Sequence, residues 1–195
     1  MTFIFISDLD GTLLGQHDFD FGLIKSDIIN LLDSGHLLVL ASSKTKVEIE
    51  SFCDELGRRV PFVYENGAGV ENFSLISGCT TPLNSHQNPK AIRTDALLTI
   101  WERYISRSLK SRCHFVKDMD RSAQQTCLGL GRTALDRAMK RSFSLPFTFS
   151  GPASDLQKLK YLAAKGGLSV QQGGRVCNLS GCHNKADYLP VIRKW

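Results

Sequence analysis

Asp8-Leu9-Asp10-Gly11-Thr12-Leu13-Leu14 follows directly on the apolar run Phe3-Ile4-Phe5-Ile6. That run is aromatic and β-branched and too short for a helix, so Thr2 to Ser7 is read as a buried strand. Side chains alternate faces along a strand, so Asp8 and Asp10 point the same way. In an open α/β sheet, ligands bind at the carboxyl ends of the strands. Paired acids at such a place can hold a divalent cation, or divide nucleophilic and acid–base work between them. Gly11 lets the chain leave the strand in a tight turn. Asp-x-Asp-Gly also occurs in ordinary surface turns, so the reading depends on what the rest of the chain supplies.

Downstream, the hydrophobic pattern alternates between two periods. Leu23 to Leu32 has helix spacing and is stopped by Gly35. Leu37 to Ala41 is a second apolar strand, running into Ser42-Ser43-Lys44-Thr45. Val47 to Leu56 is a second helix, closed by Gly57. Pro61 to Tyr64 is a third strand, ending in Glu65-Asn66-Gly67-Ala68-Gly69. Strand, helix, strand, helix, strand predicts a doubly wound parallel sheet. Thr81 to Pro89 has the composition of a linker. A long helix is expected over Ala91 to Ser108 and another over Thr133 to Arg141, followed by a strand over Pro146 to Phe149. Ser154 and Gln157 suggest a capping box for a helix through Ala164. Leu168 to Gln172 and Arg175 to Leu179 read as a hairpin around Gly173-Gly174. A short helix, Asn184 to Arg193, closes the chain.

The 195 residues suffice for a core with a smaller insert, and 42% hydrophobic with 22% charged residues is an ordinary globular composition. The net charge of +5 is mild. Its lysines and arginines are dispersed, which suits a small anionic substrate and predicts no nucleic-acid partner. The six cysteines form no C-x-x-C pair, and Cys177, Cys182 and His183 lack the spacing of a zinc finger or ribbon. They are read as reduced thiols of a cytoplasmic protein. No signal peptide and no run long enough to span a membrane are found, so no membrane partner is expected.

Four positions carry the chemistry. Asp8 with Asp10 is the first. Ser42, at the end of the second strand, is the next: a hydroxyl backed by backbone N–H groups can hold a phosphate oxygen. It could equally cap the following helix, a task open to Ser43 or Thr45. Lys185 begins a helix, against the helix dipole, which hints at an anionic partner. Glu65-Asn66-Gly67-Ala68 is a glycine-containing turn of the kind that lines a substrate mouth, or a turn and nothing more.

In order, spacing and wording, this chain resembles the mannosyl-3-phosphoglycerate phosphatase branch of the haloacid dehalogenase-like superfamily. The resemblance lies in Asp8 to Leu14, Ser42-Ser43-Lys44-Thr45, Tyr64-Glu65-Asn66-Gly67-Ala68, Arg141-Ser142-Phe143-Ser144-Leu145-Pro146-Phe147, Gly173-Gly174-Arg175-Val176, Gly181 and Lys185. It implies a Rossmann-like α/β core over 1–80, an inserted α/β cap over 81–180, and a return to the core over 181–195. It also implies that Asp8 attacks phosphorus and that Asp10 serves as acid and then base. Magnesium would be held by Asp8 and Asp10, and the phosphoryl oxygens by Ser42 and Lys185. Lys44, Asn66 and Arg175 are the candidates for other parts of the substrate.

Two departures from that pattern stand out. Leu145 occupies a position where the family segment usually carries Glu before Pro. After the Lys-bearing helix the family continues into a strand with a Gly-Asp-x-x-x-Asp-type motif whose acids complete the magnesium site. Here Asp187 is the only acid after Lys185, and as a helix residue it is no substitute. The absent part amounts to roughly 60–75 residues on typical element lengths. Its absence is expected to leave the first strand with an unpaired edge open to self-association. Three readings follow: a phosphatase of a phosphorylated sugar-glycerate, a phosphatase of another sugar phosphate, or a truncated, inactive remnant that binds a ligand or partner.

Overall fold

The two apolar strands predicted at the start of the chain form β1 (Ile4–Ser7) and β2 (Leu37–Ala41), joined through helix α1 (Lys25–Asp33). The computed structural model describes residues 2–15, 20–76 and 84–193. Helix α2 (Lys46–Leu56) leads to β3 (Phe62–Tyr64), and β4 (Gly69–Glu71) and β5 (Ser85–Gln87) follow. The sheet runs in the order β1-β2-β3-β4-β5. β1, β2 and β3 are parallel, with Ser7 opposite Leu40 and Ala41 opposite Val63. β4 and β5 are antiparallel additions, so the sheet is mixed rather than wholly parallel.

β5 corrects the expectation of a linker over Thr81 to Pro89; residues 81–83 lie outside the described residues. Ser85-His86-Gln87 looks like linker because it is polar, but it pairs with β4. Its Ser85 hydroxyl donates to Glu71, 2.8 Å away. β1 is also less buried than its sequence implies. Phe5 and Ile6 are each 44% exposed, because β1 ends the sheet and, among the described residues, pairs with β2 alone. Phe3 and Phe5 pack instead against the ring of His36, with centroids 5.5 and 6.0 Å away.

α2 begins at a complete capping box. The Thr45 hydroxyl accepts from Glu48 N, and the Glu48 carboxylate accepts from Thr45 N. Thr45 therefore caps the helix, and Ser42 does not. Gly57 closes α2 with φ 74°, a conformation that only glycine adopts without strain. Val39, Ala41, Val63, Val70, Phe73 and Ile76 form one core, into which Tyr188 and Ile192 of the returning chain also pack. Burial pushes the Tyr188 hydroxyl well above its ordinary pKa.

The chain divides into two compact units: Met1–Pro89 with His183–Trp195, and Lys90–Cys182. The sequence placed the cuts at 80/81 and 180/181. The second unit has a four-stranded antiparallel sheet. It contains α3 (Thr94–Tyr104), α4 (Arg107–Lys110), β6 (Cys113–Phe115), α5 (Arg121–Leu128), α6 (Arg132–Ala138), β7 (Ser144–Phe149), α7 (Ala153–Lys165), β8 (Leu168–Gln172) and β9 (Cys177–Gly181). Its strand order is β6-β7-β9-β8. The helix expected over Ala91 to Ser108 is broken, because Ile105 and Ser106 are extended and Ser106 opens α4. The Ser154–Gln157 capping box is absent: α7 starts at Ala153 behind Pro152, which places Ser154 inside the first turn. Leu145, where the family carries Glu, is buried in this unit's core with Trp101, Phe147 and Leu179.

Thr45→Ala removes the acceptor for Glu48 N at a fully buried position. We expect a loss of about 1–2 kcal/mol in urea unfolding; an unchanged midpoint would show that the cap contributes nothing.

Candidate active site

Parallel pairing sets the site. Asp8 follows the last residue of β1, Ser42 the last of β2 and Glu65 the last of β3, so all three emerge at the same edge of the sheet. The Asp8–Leu14 segment turns back at once: Leu14 N donates to Leu9 O at 2.8 Å, and Gly11 takes φ 71°. Leu9, fully buried, anchors this turn, while Asp10 is exposed and Asp8 partly so.

Each carboxylate carries a lysine. Lys185 Nζ donates to Asp8 Oδ2 at 2.6 Å across a separation of 177 residues. Asp8 Oδ1 accepts from Leu9 N at 2.8 Å. Lys44 Nζ lies 2.9 Å from Asp10 Oδ1 and 3.6 Å from Glu48 Oε1. The Lys185–Asp8 pair, with side chains 31% and 43% exposed, contributes about 0–1 kcal/mol, so stability does not account for its formation. Together Lys185 and Lys44 set two ammonium groups beside the carboxylates of Asp8, Asp10 and Glu48 at the end of a sheet, where the ammoniums can polarise an anionic ester.

Ser42 is wholly buried, and its Oγ accepts from Lys44 N at 3.2 Å. A hydroxyl that accepts one N–H retains its own proton to donate. Asn66 lies in the next loop, where its N donates to Ser42 O at 2.9 Å, and Glu65 N donates to Lys44 O at 2.8 Å. This loop is backbone-strained: Glu65 and Asn66 have φ of 43° and 58°, and Gly67 follows at 102°. A Cβ on Gly67 would stand 2.2 Å from Asn184 O. His183 completes the junction, its Nε2 lying 3.1 Å from Glu65 O. Asp8, Asp10, Ser42, Lys44, Asn66 and Lys185 thus belong to one unit of the fold. Arg175 belongs to the other, where it is exposed and its Nη1 donates to Leu128 O, at the end of α5.

The Asp8 carboxylate and the Asp10 backbone carbonyl offer hard oxygens that suit magnesium, which completes its shell with water and phosphate. Among the described residues, no group of three or more His, Cys, Asp and Glu is placed to hold a metal. His183, adjacent to Cys182, has its ring directed to a backbone carbonyl. Sequence reasoning missed the roles of Glu65, Asn88, His183 and Asp187 at the junction, and only the left-handed Asn66-Gly67 pair offered a local signal.

Residues 5–92 match the family model of the haloacid dehalogenase-like hydrolases. Over that stretch the chain is similar to that family. The glucosyl-3-phosphoglycerate/mannosyl-3-phosphoglycerate phosphatase of Persephonella marina is 29% identical over 98% of this chain and 71% of its own length. A protein of the same name from Methanococcoides burtonii is 24% identical over 98% of this chain and 72% of its own. In structure, a haloacid dehalogenase-like hydrolase from Bacteroides thetaiotaomicron superposes with a TM-score of 0.62 at 16% identity, covering 98% of this chain and 75% of that one. The chain thus resembles a hydrolase family over its first part and, over nearly its whole length, two proteins named as phosphatases. Among the described residues, no helix is long and apolar enough to cross a membrane.

Gly67→Ala adds both a positive-φ penalty and a clash with a backbone carbonyl. We expect it to cost at least about 2 kcal/mol of stability. Thermal unfolding tests this, and a wild-type midpoint would show that the junction yields freely.

Proposed function

We propose that this hydrolase is a magnesium-dependent phosphatase of a phosphorylated sugar-glycerate, of the mannosyl-3-phosphoglycerate type. The observation that carries the proposal is the meeting of Asp8 with Lys185 and of Asp10 with Lys44 at the carboxyl ends of parallel strands. The substrate class is supported by the relatives' names and by similarity over 98% of the chain.

In the proposed reaction a carboxylate oxygen of Asp8 attacks phosphorus, and the bond from phosphorus to the ester oxygen breaks. Asp10, protonated for this step, gives its proton to the leaving alkoxide. In the second step Asp10 takes a proton from water, whose oxygen attacks the aspartyl-phosphate and releases inorganic phosphate. Lys185 stands one hydrogen bond from the attacking carboxylate, which places its ammonium to hold a phosphoryl oxygen. Ser42 is proposed as a second phosphoryl donor, reached when its covered loop opens. Magnesium would be held by Asp8 and Asp10, and when bound it offsets charge on the phosphoryl group.

The second unit is the proposed cap, with Arg175 as a contact for the glycerate carboxylate. Lys44 and Asn66 are proposed to border the same substrate. Because Lys44 is engaged by Asp10 and Glu48, a substrate carboxylate would have to exchange with one of them. A cytoplasmic location is proposed, supported by the free thiols of Cys53, Cys113, Cys127, Cys177 and Cys182.

The test is magnesium-dependent phosphate release from mannosyl-3-phosphoglycerate and from a panel of other sugar phosphates. Turnover of the sugar-glycerate that disappears in Asp8→Asn, with the variant still folded by circular dichroism, is expected. A better ester elsewhere in the panel would replace the substrate, and turnover surviving in Asp8→Asn would sink the nucleophile.

Self-association through the edge of β1 is part of the proposal. Thr2 to Ser7 carries no charge and no proline to protect that edge, and Phe3, Phe5 and Ile6 are exposed on it. Sedimentation should show concentration-dependent dimers that Phe5→Lys abolishes; a monomer throughout the micromolar range would exclude them.

A further inference from the structure

Asn88 lies in the stretch that reads as a linker, yet it is 4% exposed. A buried amide in a linker invites the question of what it holds. Its Nδ2 donates to Gly67 O at 3.0 Å and to Asp187 Oδ2 at 2.9 Å, so both amide protons are engaged. Its backbone N donates to Ala68 O at 2.8 Å. Asp187 Oδ2 also accepts from Asn184 N at 3.1 Å. Asn184 in turn caps the short 3-10 turn Lys185–Tyr188, its side chain accepting from Ala186 N at 2.8 Å. A continuous path therefore runs from the strained turn after β3, through one amide and one carboxylate, to the residue that precedes Lys185.

We propose that Asn88 is a positioning residue for Lys185. It fixes Asp187, Asp187 fixes the Asn184 cap, and the cap aims the Lys185 ammonium at Asp8. The packing of Tyr188 and Ile192 into the core holds the far side of this segment but leaves its first residues to the hydrogen bonds. A lysine has four rotatable side-chain bonds, so only a fixed backbone origin keeps its ammonium in one place. This inference rests on the reading of Lys185 as a phosphoryl ligand.

The experiment is a double-mutant cycle on Asn88→Ala and Lys185→Ala, read as the dissociation constant of inorganic phosphate by calorimetry with magnesium in the buffer. Asn88→Ala is expected to weaken phosphate binding about tenfold when Lys185 is present and less than about twofold in the Lys185→Ala background. Equal losses in both backgrounds, or wild-type affinity in folded Asn88→Ala, would overturn the positioning role. Unchanged affinity in Lys185→Ala alone would instead overturn the phosphoryl-ligand reading on which it rests. If Asn88→Ala does not fold, Asn88→Ser, which keeps one donor, runs the same cycle against the same criteria.

Discussion

The parallel register of β1, β2 and β3 is the constraint from which the site follows. Parallel strands finish at the same edge, so three loops that are far apart in sequence must meet there. The loops contribute different groups: carboxylates after β1, a hydroxyl and a lysine after β2, and a strained turn after β3. The fourth contribution, Lys185, comes from the far end of the chain, and its segment is drawn onto the same unit by the burial of Tyr188 and Ile192. Hydrophobic burial thus supplies the force, and the parallel register supplies the address.

Charge balance shapes the site at closer range. Two carboxylates one residue apart repel each other, and their turn offers few backbone donors beyond Leu9 N. An ammonium beside each offsets that repulsion. Lys44 is the more buried of the two lysines, its side chain 11% exposed against 31% for Lys185. A buried ammonium needs its partner more than an exposed one does. Lys44 is accordingly flanked by two carboxylates, Asp10 and Glu48, while the more exposed Lys185 meets Asp8.

How much of this was legible beforehand depended on the range of the interactions involved. β2 and α2 could be read almost residue for residue, because apolar runs and local caps are encoded within a few positions. The pair of acids and Lys185 were legible as wording. β5 was not, because three polar residues become a strand only when β4 offers them a ladder. The break between α3 and α4 was hidden by continuous helical periodicity. The place of Ser42 after the second strand was legible, but its complete burial was not. Asn88 was illegible altogether, since its side-chain partners lie 21 and 99 residues away.

The turn Glu65–Ala68 has one more role. The chain leaves the first unit after Pro89 and re-enters at His183. Just before the exit, Asn88 N is bonded to Ala68 O, and at the re-entry His183 is bonded to Glu65 O. Both ends of the intervening segment are therefore clamped to one four-residue turn. The entropic cost of holding the two ends of a segment together grows only slowly with its length. The exit at Asn88 and the re-entry at His183 are thus held side by side by the first unit's own turn, so a change in the length of the segment between them need not pull on β3.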